Sequence, residues 1–186
     1  MAEGKLYFAY GSNINLDQMA QRCPDAQVVG PVTLENYELL FHGNLRGAGA
    51  DVDVRGGYIH AKAVENAHFV LYFLLWNITP ECERSLDYYE GYPHLYGKEP
   101  VTVHGHDGQE RTVMAYVMTE LCKEPSIPSF YYYNGILEGY RQNGLPTASL
   151  KQAWEHCVEE VHRETERINR SACGQLSSRR KKDRGR

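Results

Sequence analysis

An aromatic run that stops abruptly at a polar turn lies near the start of this chain. Residues 5–10 are almost entirely apolar or aromatic, which predicts a strand that is buried on both faces. Residues 11–13, Gly-Ser-Asn, then form a turn that a strand cannot continue through. Asn15, with Gln18 three residues later, resembles a capping box and predicts a short helix that ends before Pro24.

A strand, a glycine-containing turn and a helix start allow two interpretations of residues 11–13. Successive backbone N–H groups can point outward without a partner, which makes a cradle for an anionic oxygen. The alternative is a tight structural turn in which Ser12 or Asn13 bonds the local backbone. The residue pattern leaves both interpretations open.

Six further segments have the composition of strands and are bounded by glycine, proline or asparagine. Residues 58–64 and 68–76 are expected to form a hairpin, and the second of these strands is apolar enough to lie centrally in a sheet. The Asp107-Gly108 pair predicts another hairpin. Residues 44–57 are rich in glycine and aspartate and are expected to form a loop, which either covers a site or only connects two strands. The six segments are residues 27–34, 36–42, 58–64, 68–76, 99–106 and 111–118.

A helix start is predicted at Thr79, which is followed by proline at the first helical position and by acidic residues. The helix should bury Leu86 and Tyr89 and end near Gly91, which leaves Glu90 in its last turn. Unpaired carbonyl groups at a helix end, and nearby rings that exclude water, both raise the pKa of a carboxyl group. Such a group is suited to proton transfer near neutral pH, although a glutamate at a helix end often simply points to solvent.

Two helices are predicted in the last third of the chain. Ser129 can cap the first, in which Tyr132, Ile136 and Tyr140 share one face and are expected to be core. The second starts near Ser149, and its apolar stripe ends near residue 170. We therefore predict one domain over residues 1–170 and a basic, disordered tail over residues 171–186.

Composition excludes several classes of protein. No apolar run is long enough to span a membrane, and no signal region follows Met1, so a cytoplasmic location is expected. Five separated cysteines form no CxxC pair. His104 and His106 lack a third ligand nearby, so no metal site is expected. The basic tail has no interleaved aromatic residues, so no nucleic-acid partner is expected.

Three stretches together resemble the γ-glutamylcyclotransferase-like family, which includes γ-glutamylamine cyclotransferases and AIG2-like proteins. Tyr7-Phe8-Ala9-Tyr10-Gly11-Ser12-Asn13 resembles the opening motif of the family. Leu86-Asp87-Tyr88-Tyr89-Glu90-Gly91-Tyr92-Pro93 resembles the segment with its catalytic glutamate. Pro128-Ser129-Phe130-Tyr131-Tyr132, with Asn143-Gly144-Leu145-Pro146 further on, resembles its tyrosine-bearing helix and the exit from it.

The resemblance implies an α+β fold, with a small, mostly antiparallel, barrel-like β-sheet flanked by helices. It also implies an enzyme that converts a γ-glutamyl amino acid or amine to 5-oxoproline and releases the free amine. Glu90 would be the general acid and base, and no cofactor or metal would be required. The substrate-binding residues would be Tyr7, Phe8, Ala9, Tyr10, Gly11, Ser12, Asn13, Tyr132 and Tyr116.

Three questions stay open at the level of sequence. The leaving group is either an amino acid or a blocked amine, such as a lysine side chain. The chain is either a catalyst or a noncatalytic binding or regulatory module on the same fold, and the presence of Glu90 favours the catalyst. The partner is expected to be a small γ-glutamyl molecule, and a homodimer is left open as the assembly.

Overall fold

A closed five-stranded barrel forms the centre of the computed structural model, which describes residues 4–35, 37–43, 58–63, 70–119 and 124–183. The barrel order is β1-β5-β2-β6-β7, and β7 returns to pair with β1. The strands are β1 Lys5–Ala9, β2 Gln27–Glu35, β3 Tyr37–Gly43, β4 Tyr58–Ala63, β5 Val70–Ile78, β6 Tyr96–Gly105, β7 Glu110–Met118 and β8 Glu124–Pro125. The helices are α1 Leu16–Arg22, α2 Pro80–Glu90, α3 Phe130–Gln142 and α4 Ala148–Asp183.

Strand β1 closes the barrel and delivers the chain to the polar turn. Tyr7 lies opposite Trp76 on β5 in antiparallel pairing and opposite Met114 on β7 in parallel pairing. The last three residues of β1 are buried, as the sequence predicts. The other barrel pairings are antiparallel, so the predicted α+β fold with a mostly antiparallel barrel is confirmed.

A second sheet corrects one predicted pairing. Strand β4 pairs with β3, and β3 also pairs with β8, so these three form a separate sheet. The predicted hairpin between residues 58–64 and 68–76 is therefore wrong, although the central position of β5 between β1 and β2 is confirmed. An apolar pattern identifies a strand but does not specify its partner. The predicted loop at residues 44–57 lies outside the described residues.

The predicted helix starts are confirmed by their caps. The side chain of Asn15 accepts a hydrogen bond from the backbone N–H of Gln18, and that of Thr79 accepts one from Cys82. The side chain of Ser129 caps α3 in the same way. Helix α2 ends at Gly91, whose φ of 65° is a conformation that glycine adopts without steric cost.

Helix α4 is longer than predicted. Its buried side chains, Leu150, Ala153 and Cys157, lie in the first three turns and pack on the core. The apolar stripe is predicted to end near residue 170, and the helix itself continues beyond that point to Asp183. Exposed ion pairs at helical spacing, such as Arg170 with Glu166 at 2.8 Å, support an exposed helix. The division into a domain at residues 1–170 and a tail stays a prediction.

Among the described residues, no helix is both long and apolar enough to cross a membrane.

The hydrophobic core is continuous from the barrel to the helices that pack on it. Phe8 and Phe73 meet inside the barrel with ring centroids 4.9 Å apart. Ile136 and Tyr140 of α3 are fully buried, which confirms that the α3 stripe is core.

Candidate active site

Glu90 lies at the C-terminal end of α2 and faces the polar turn that follows β1. The Nδ2 atom of Asn13 donates a hydrogen bond to its Oε1 atom at 2.8 Å. The turn itself is a single turn of 3₁₀ helix, Ser12–Ile14, and its three residues are buried. The structure therefore brings together the two motifs that the sequence singles out.

The side chain of Asn13 uses all of its hydrogen-bonding groups within the protein. Its Nδ2 atom also donates to the hydroxyl of Tyr7 at 2.8 Å, and its Oδ1 atom accepts from Arg22 at 2.7 Å. Its backbone carbonyl accepts from the indole of Trp76 at 3.1 Å. A side-chain amide nitrogen has only two N–H donors, so the Asn13 side chain holds one oxygen of Glu90 and has no donor left for a ligand.

The environment of Glu90 gives its carboxyl group a pKa suited to proton exchange. Burial raises the pKa of Glu90 to about 7, while the charge of Arg22 and the hydrogen bond from Asn13 oppose that rise. Among the described residues, no group bonds the Oε2 atom. One carboxyl oxygen is thus fixed, and the other is available to a ligand.

The tyrosines whose pKa responds to Glu90 come from β1, from the residue that follows it and from β7. Tyr7 on β1 and Tyr10, directly after β1, each have a pKa raised first by burial and then by the negative charge of Glu90. The pKa of Tyr116 on β7 is also raised, by burial, by Asp87 and more weakly by Glu90. Tyr89 was expected to be buried but is 43% exposed, and that expectation is wrong. The strands, more than α2 itself, supply the rings.

The hydroxyl groups of Tyr10 and Tyr116 connect the candidate site to strand β7 and helix α2. The hydroxyl of Tyr10 donates to the backbone carbonyl of Tyr116 at 2.5 Å. The hydroxyl of Tyr116 donates to Asp87 Oδ1 at 2.5 Å, one helical turn before Glu90. Lys98 completes this cluster with contacts of 2.7 Å to Glu83 and 2.9 Å to Asp87. These bonds fix α2 against the barrel.

The remaining predicted site residues have different surroundings. The side chains of Phe8 and Ala9 are buried in the core. The hydroxyl of Ser12 lies 2.9 Å from that of Tyr89. Tyr132 is partly buried against the core and lies close enough to Tyr10 to raise the pKa of that residue.

Gly11 opens the 3₁₀ turn with φ −107°, a value open to any residue. Within the described part of the chain, no acceptor bonds the backbone N–H groups of residues 11–13. A first helical turn leaves such donors unpaired. The anion-cradle interpretation is therefore compatible with the geometry. In the alternative interpretation, a structural turn, the side chain of Ser12 or Asn13 would bond the local backbone. Among the described residues, neither side chain does so.

Arg22 and Tyr89 are functional candidates that sequence reasoning missed. The Arg22 guanidinium stacks over the Tyr89 ring, 3.7 Å from its centroid, and contacts Ser12 and Asn13. Arg22 lies in the last turn of α1, where a basic residue is usually explained by the helix dipole. Its four-residue spacing from Gln18, to which it donates at 2.7 Å, is the only signal in the sequence.

Within the described residues, no group of three or more His, Cys, Asp or Glu side chains could hold a metal ion. The described cysteines, Cys23, Cys82 and Cys157, are buried and unpaired with one another. Burial raises the pKa of Cys23 to about 12, so its thiol is protonated at neutral pH. The described residues of the site offer the Glu90 carboxyl group, tyrosine phenols and backbone donors.

Comparison with known proteins gives consistent matches. The model of the AIG2-like family matches residues 70–152. "Gamma-glutamylcyclotransferase" of Bos taurus is 33% identical over 151 residues, covering 81% of this chain and 77% of the relative. The Homo sapiens protein of the same name is 32% identical over 145 residues, covering 77% and 74%. A solved structure titled "Gamma-glutamyl cyclotransferase" superposes with a TM-score of 0.69 at 27% identity, covering 81% of this chain and 86% of that one.

Proposed function

Because the chain belongs to the γ-glutamylcyclotransferase family, we propose that it converts a small γ-glutamyl amino acid or amine to 5-oxoproline. The reaction releases the free amine and proceeds within a single substrate molecule. The observation that carries the proposal is the Glu90 carboxyl group, with one oxygen held by Asn13 and a pKa raised to about 7. A base with a pKa near the working pH exchanges protons most effectively.

The substrate supplies both reacting groups. Its α-amine attacks its own γ-carbonyl carbon, a C–N bond forms to close a five-membered ring, and the bond to the leaving nitrogen then breaks. Glu90 Oε2 first takes a proton from the substrate ammonium group, which frees the amine to attack, and Glu90 returns that proton to the leaving nitrogen. The attacking nitrogen loses a second proton as it becomes the ring amide, and the released amine takes up that proton as it leaves as an ammonium ion. No covalent enzyme intermediate is needed, since holding the folded-back conformer already removes much of the entropic barrier.

The turn after β1 is proposed to bind the negative charge of the substrate. Backbone N–H groups of Gly11, Ser12 and Asn13 would donate to the developing oxyanion or to the α-carboxylate, and a donor of this kind commonly contributes about 3 kcal/mol. Tyr7 accepts a hydrogen bond from Asn13 and keeps its own hydroxyl proton for donation.

The ring-lined wall of the pocket would be formed by Tyr10, Tyr116 and Tyr132. Two of these hydroxyls already have partners, since Tyr10 and Tyr116 donate to a backbone carbonyl and to Asp87. Their contribution to binding would therefore come from ring faces and edges more than from hydroxyl groups. The buried side chains of Phe8 and Ala9 would support the strand from within the core.

The experiment is incubation of the purified protein with a panel of γ-glutamyl amino acids and γ-glutamyl amines, followed by detection of 5-oxoproline. We expect 5-oxoproline from at least one compound and a fall of about 10² to 10⁴ in turnover for Glu90→Gln, because the amide cannot accept and return a proton. The exposed Glu138→Gln variant on α3 is the matched control and should retain full turnover. Near-native turnover by a folded Glu90→Gln protein contradicts the assignment of Glu90. A wild-type protein that is inactive on the whole panel favours the noncatalytic module.

A further inference from the structure

Arg22 connects three residues of the candidate site through one guanidinium group. Its NH1 atom donates to Asn13 Oδ1 at 2.7 Å and to Ser12 Oγ at 3.2 Å. Its NH2 atom donates to Gln18 Oε1 at 2.7 Å and to the Tyr89 hydroxyl at 2.9 Å. Both terminal nitrogens therefore use both of their N–H groups inside the protein.

This saturation decides between two roles for the arginine. A guanidinium that binds a substrate carboxylate offers two parallel N–H groups at its outer edge. Arg22 has no such pair left, because all four terminal N–H groups are already donated. Its role must therefore be exerted through the residues it holds.

The residue that Arg22 holds most directly is Asn13. An arginine can only donate hydrogen bonds, so the atom of Asn13 that faces it must be the carbonyl oxygen. The amide nitrogen is then turned toward Glu90 and Tyr7, where it makes both 2.8 Å bonds. We propose that Arg22 is a positioning residue that locks the Asn13 amide in this orientation, so that Glu90 exchanges its proton through Oε2 alone. The inference rests on the proposed function for its catalytic meaning.

The lock matters because Glu90 changes its protonation state during the proposed reaction. An ionised carboxylate favours the amide nitrogen at its side, but a protonated carboxyl group can also donate to an amide oxygen. Without Arg22, Asn13 can rotate by half a turn when Glu90 is protonated, and the proton can then reside on Oε1. With Arg22 in place, that rotation would bring the Asn13 N–H groups against a cation. The proton stays on Oε2, the oxygen that faces the substrate.

The positive charge of Arg22 also acts on Glu90, which supports its role as a positioning residue. The groups that face Glu90 are Arg22 from α1, Tyr7 from β1, Tyr10 directly after β1, and Tyr116 from β7. Arg22 is the cation in this set and opposes the rise in the pKa of Glu90 that burial produces. Its removal should therefore raise that pKa further.

The test compares Arg22→Met, which removes the charge, with Arg22→Lys, which keeps the charge but loses the planar fork. Arg84→Met is the matched control, since Arg84 is an exposed arginine on α2 that pairs with Glu81. Two readouts are needed. One is the titration of the Glu90 carboxyl carbon by NMR, assigned by its absence in Glu90→Gln. The other is kcat and KM for 5-oxoproline formation.

For Arg22→Met we expect the Glu90 carboxyl group to titrate at higher pH than in the wild type. We also expect kcat to fall about 10- to 100-fold, the usual cost of a misplaced catalytic group, and KM to change less. Arg22→Lys should titrate close to the wild type yet still lose most of the same kcat. Arg84→Met should match the wild type in both readouts. Full kcat in Arg22→Lys would show that charge alone suffices, and an unchanged titration and kcat in Arg22→Met would overturn the role altogether.

A measurement on the wild type covers the case in which these variants fail to fold. The side-chain amide signals of Asn13 should remain protected from hydrogen exchange on both sides of the Glu90 titration. Rapid exchange at low pH would show that the amide is not locked and would overturn the proposal. The NMR titration requires no turnover, so it separates this inference from the proposed function. If the wild type is inactive but Arg22→Met still shifts the pKa of Glu90, only the proposed function is contradicted.

Discussion

Asn13 and Glu90 lie 77 positions apart in the chain and meet through a 2.8 Å hydrogen bond. The bond joins the turn that leaves the barrel to the last residue of α2. The same carboxyl group has a pKa raised to about 7 by burial. The contact with Asn13 therefore positions the candidate base, while burial is the main cause of its raised pKa.

The first prediction concerns the pH dependence of activity. Glu90 must be ionised to accept a proton, and its pKa is raised to about 7. We expect kcat/KM for a γ-glutamyl substrate to rise with pH through about 7 and to level off above it, because kcat/KM reports the ionisation of the free enzyme. Steady-state rates between pH 5 and 9 check this. A profile that is already level at pH 5.5 would contradict the role of Glu90.

The second prediction concerns stability. The pKa of Glu90 is raised from its usual 4.5 to about 7 in the folded state, so the folded protein binds the proton more tightly than the unfolded chain. The stability due to the protonated group is present below pH 4.5 and is lost as pH rises through 7. We expect Glu90→Gln to be more stable than the wild type at pH 8, by roughly 1 to 3 kcal/mol.

Denaturant unfolding at pH 5 and pH 8 measures this difference. The gain should be largest at pH 8 and should shrink toward pH 4.5, where the wild-type carboxyl group is protonated in both states. Glu138→Gln, exposed on α3, provides the control for loss of a negative charge. If Glu90→Gln is less stable than the wild type at pH 8, burial does not penalise the charge.

Local chemistry in the sequence predicted the framework of the site. The strand β1, the turn at residues 11–13 and the caps at Asn15, Thr79 and Ser129 depend on neighbouring residues, and all are confirmed. The presence of Glu90 in the last turn of α2 follows from the same signals. Such features are predictable because each is decided within a few residues.

Nonlocal contacts could not be predicted in this way. The pairing of β4 with β3 depends on which strand edges are free, and no pattern within residues 58–63 records that choice. Arg22 resembles an ordinary helix-end arginine until the fold places Ser12, Asn13 and Tyr89 around it. Tyr89 could be assigned to the core from its spacing with Leu86, yet the guanidinium stack holds it at the surface.

The third prediction tests the close contact between α3 and the turn. A Cβ atom at Gly139 would lie 2.6 Å from the backbone nitrogen of Asn15 and 2.8 Å from the carbonyl carbon of Ile14. These backbone atoms cannot move aside without shifting the turn that holds Asn13. We expect Gly139→Ala to lower the free energy of unfolding by about 1 to 3 kcal/mol, the usual cost of overpacking, and to lower kcat.

Gly97→Ala is the matched control for this substitution. A Cβ atom at Gly97 would find its nearest neighbour, the carbonyl oxygen of Val117, at an ordinary 3.9 Å. Urea unfolding and turnover should show little change for this variant. Equal stability of the two variants would mean that α3 can move away from the turn without cost.

The last prediction concerns the cluster that fixes α2 to β6 and β7 one to two helical turns before Glu90. Lys98 lies between Glu83 and Asp87, at 2.7 Å and 2.9 Å, and Tyr116 donates to Asp87.

Replacing Lys98 with methionine leaves two carboxylates one helical turn apart without their cation, and like charges at that spacing repel. We expect Lys98→Met to lower the free energy of unfolding by about 1 to 2 kcal/mol, since its bonds are charge-assisted and only partly exposed. The control is Arg84→Met, which breaks the exposed pair with Glu81 and should leave the free energy of unfolding nearly unchanged. Because α2 ends at Glu90, the Lys98 variant should also lose turnover beyond what its stability explains, measured at a temperature where both proteins are fully folded. A Lys98→Met protein with wild-type stability and turnover would show that Asn13 alone is sufficient to position the carboxyl group.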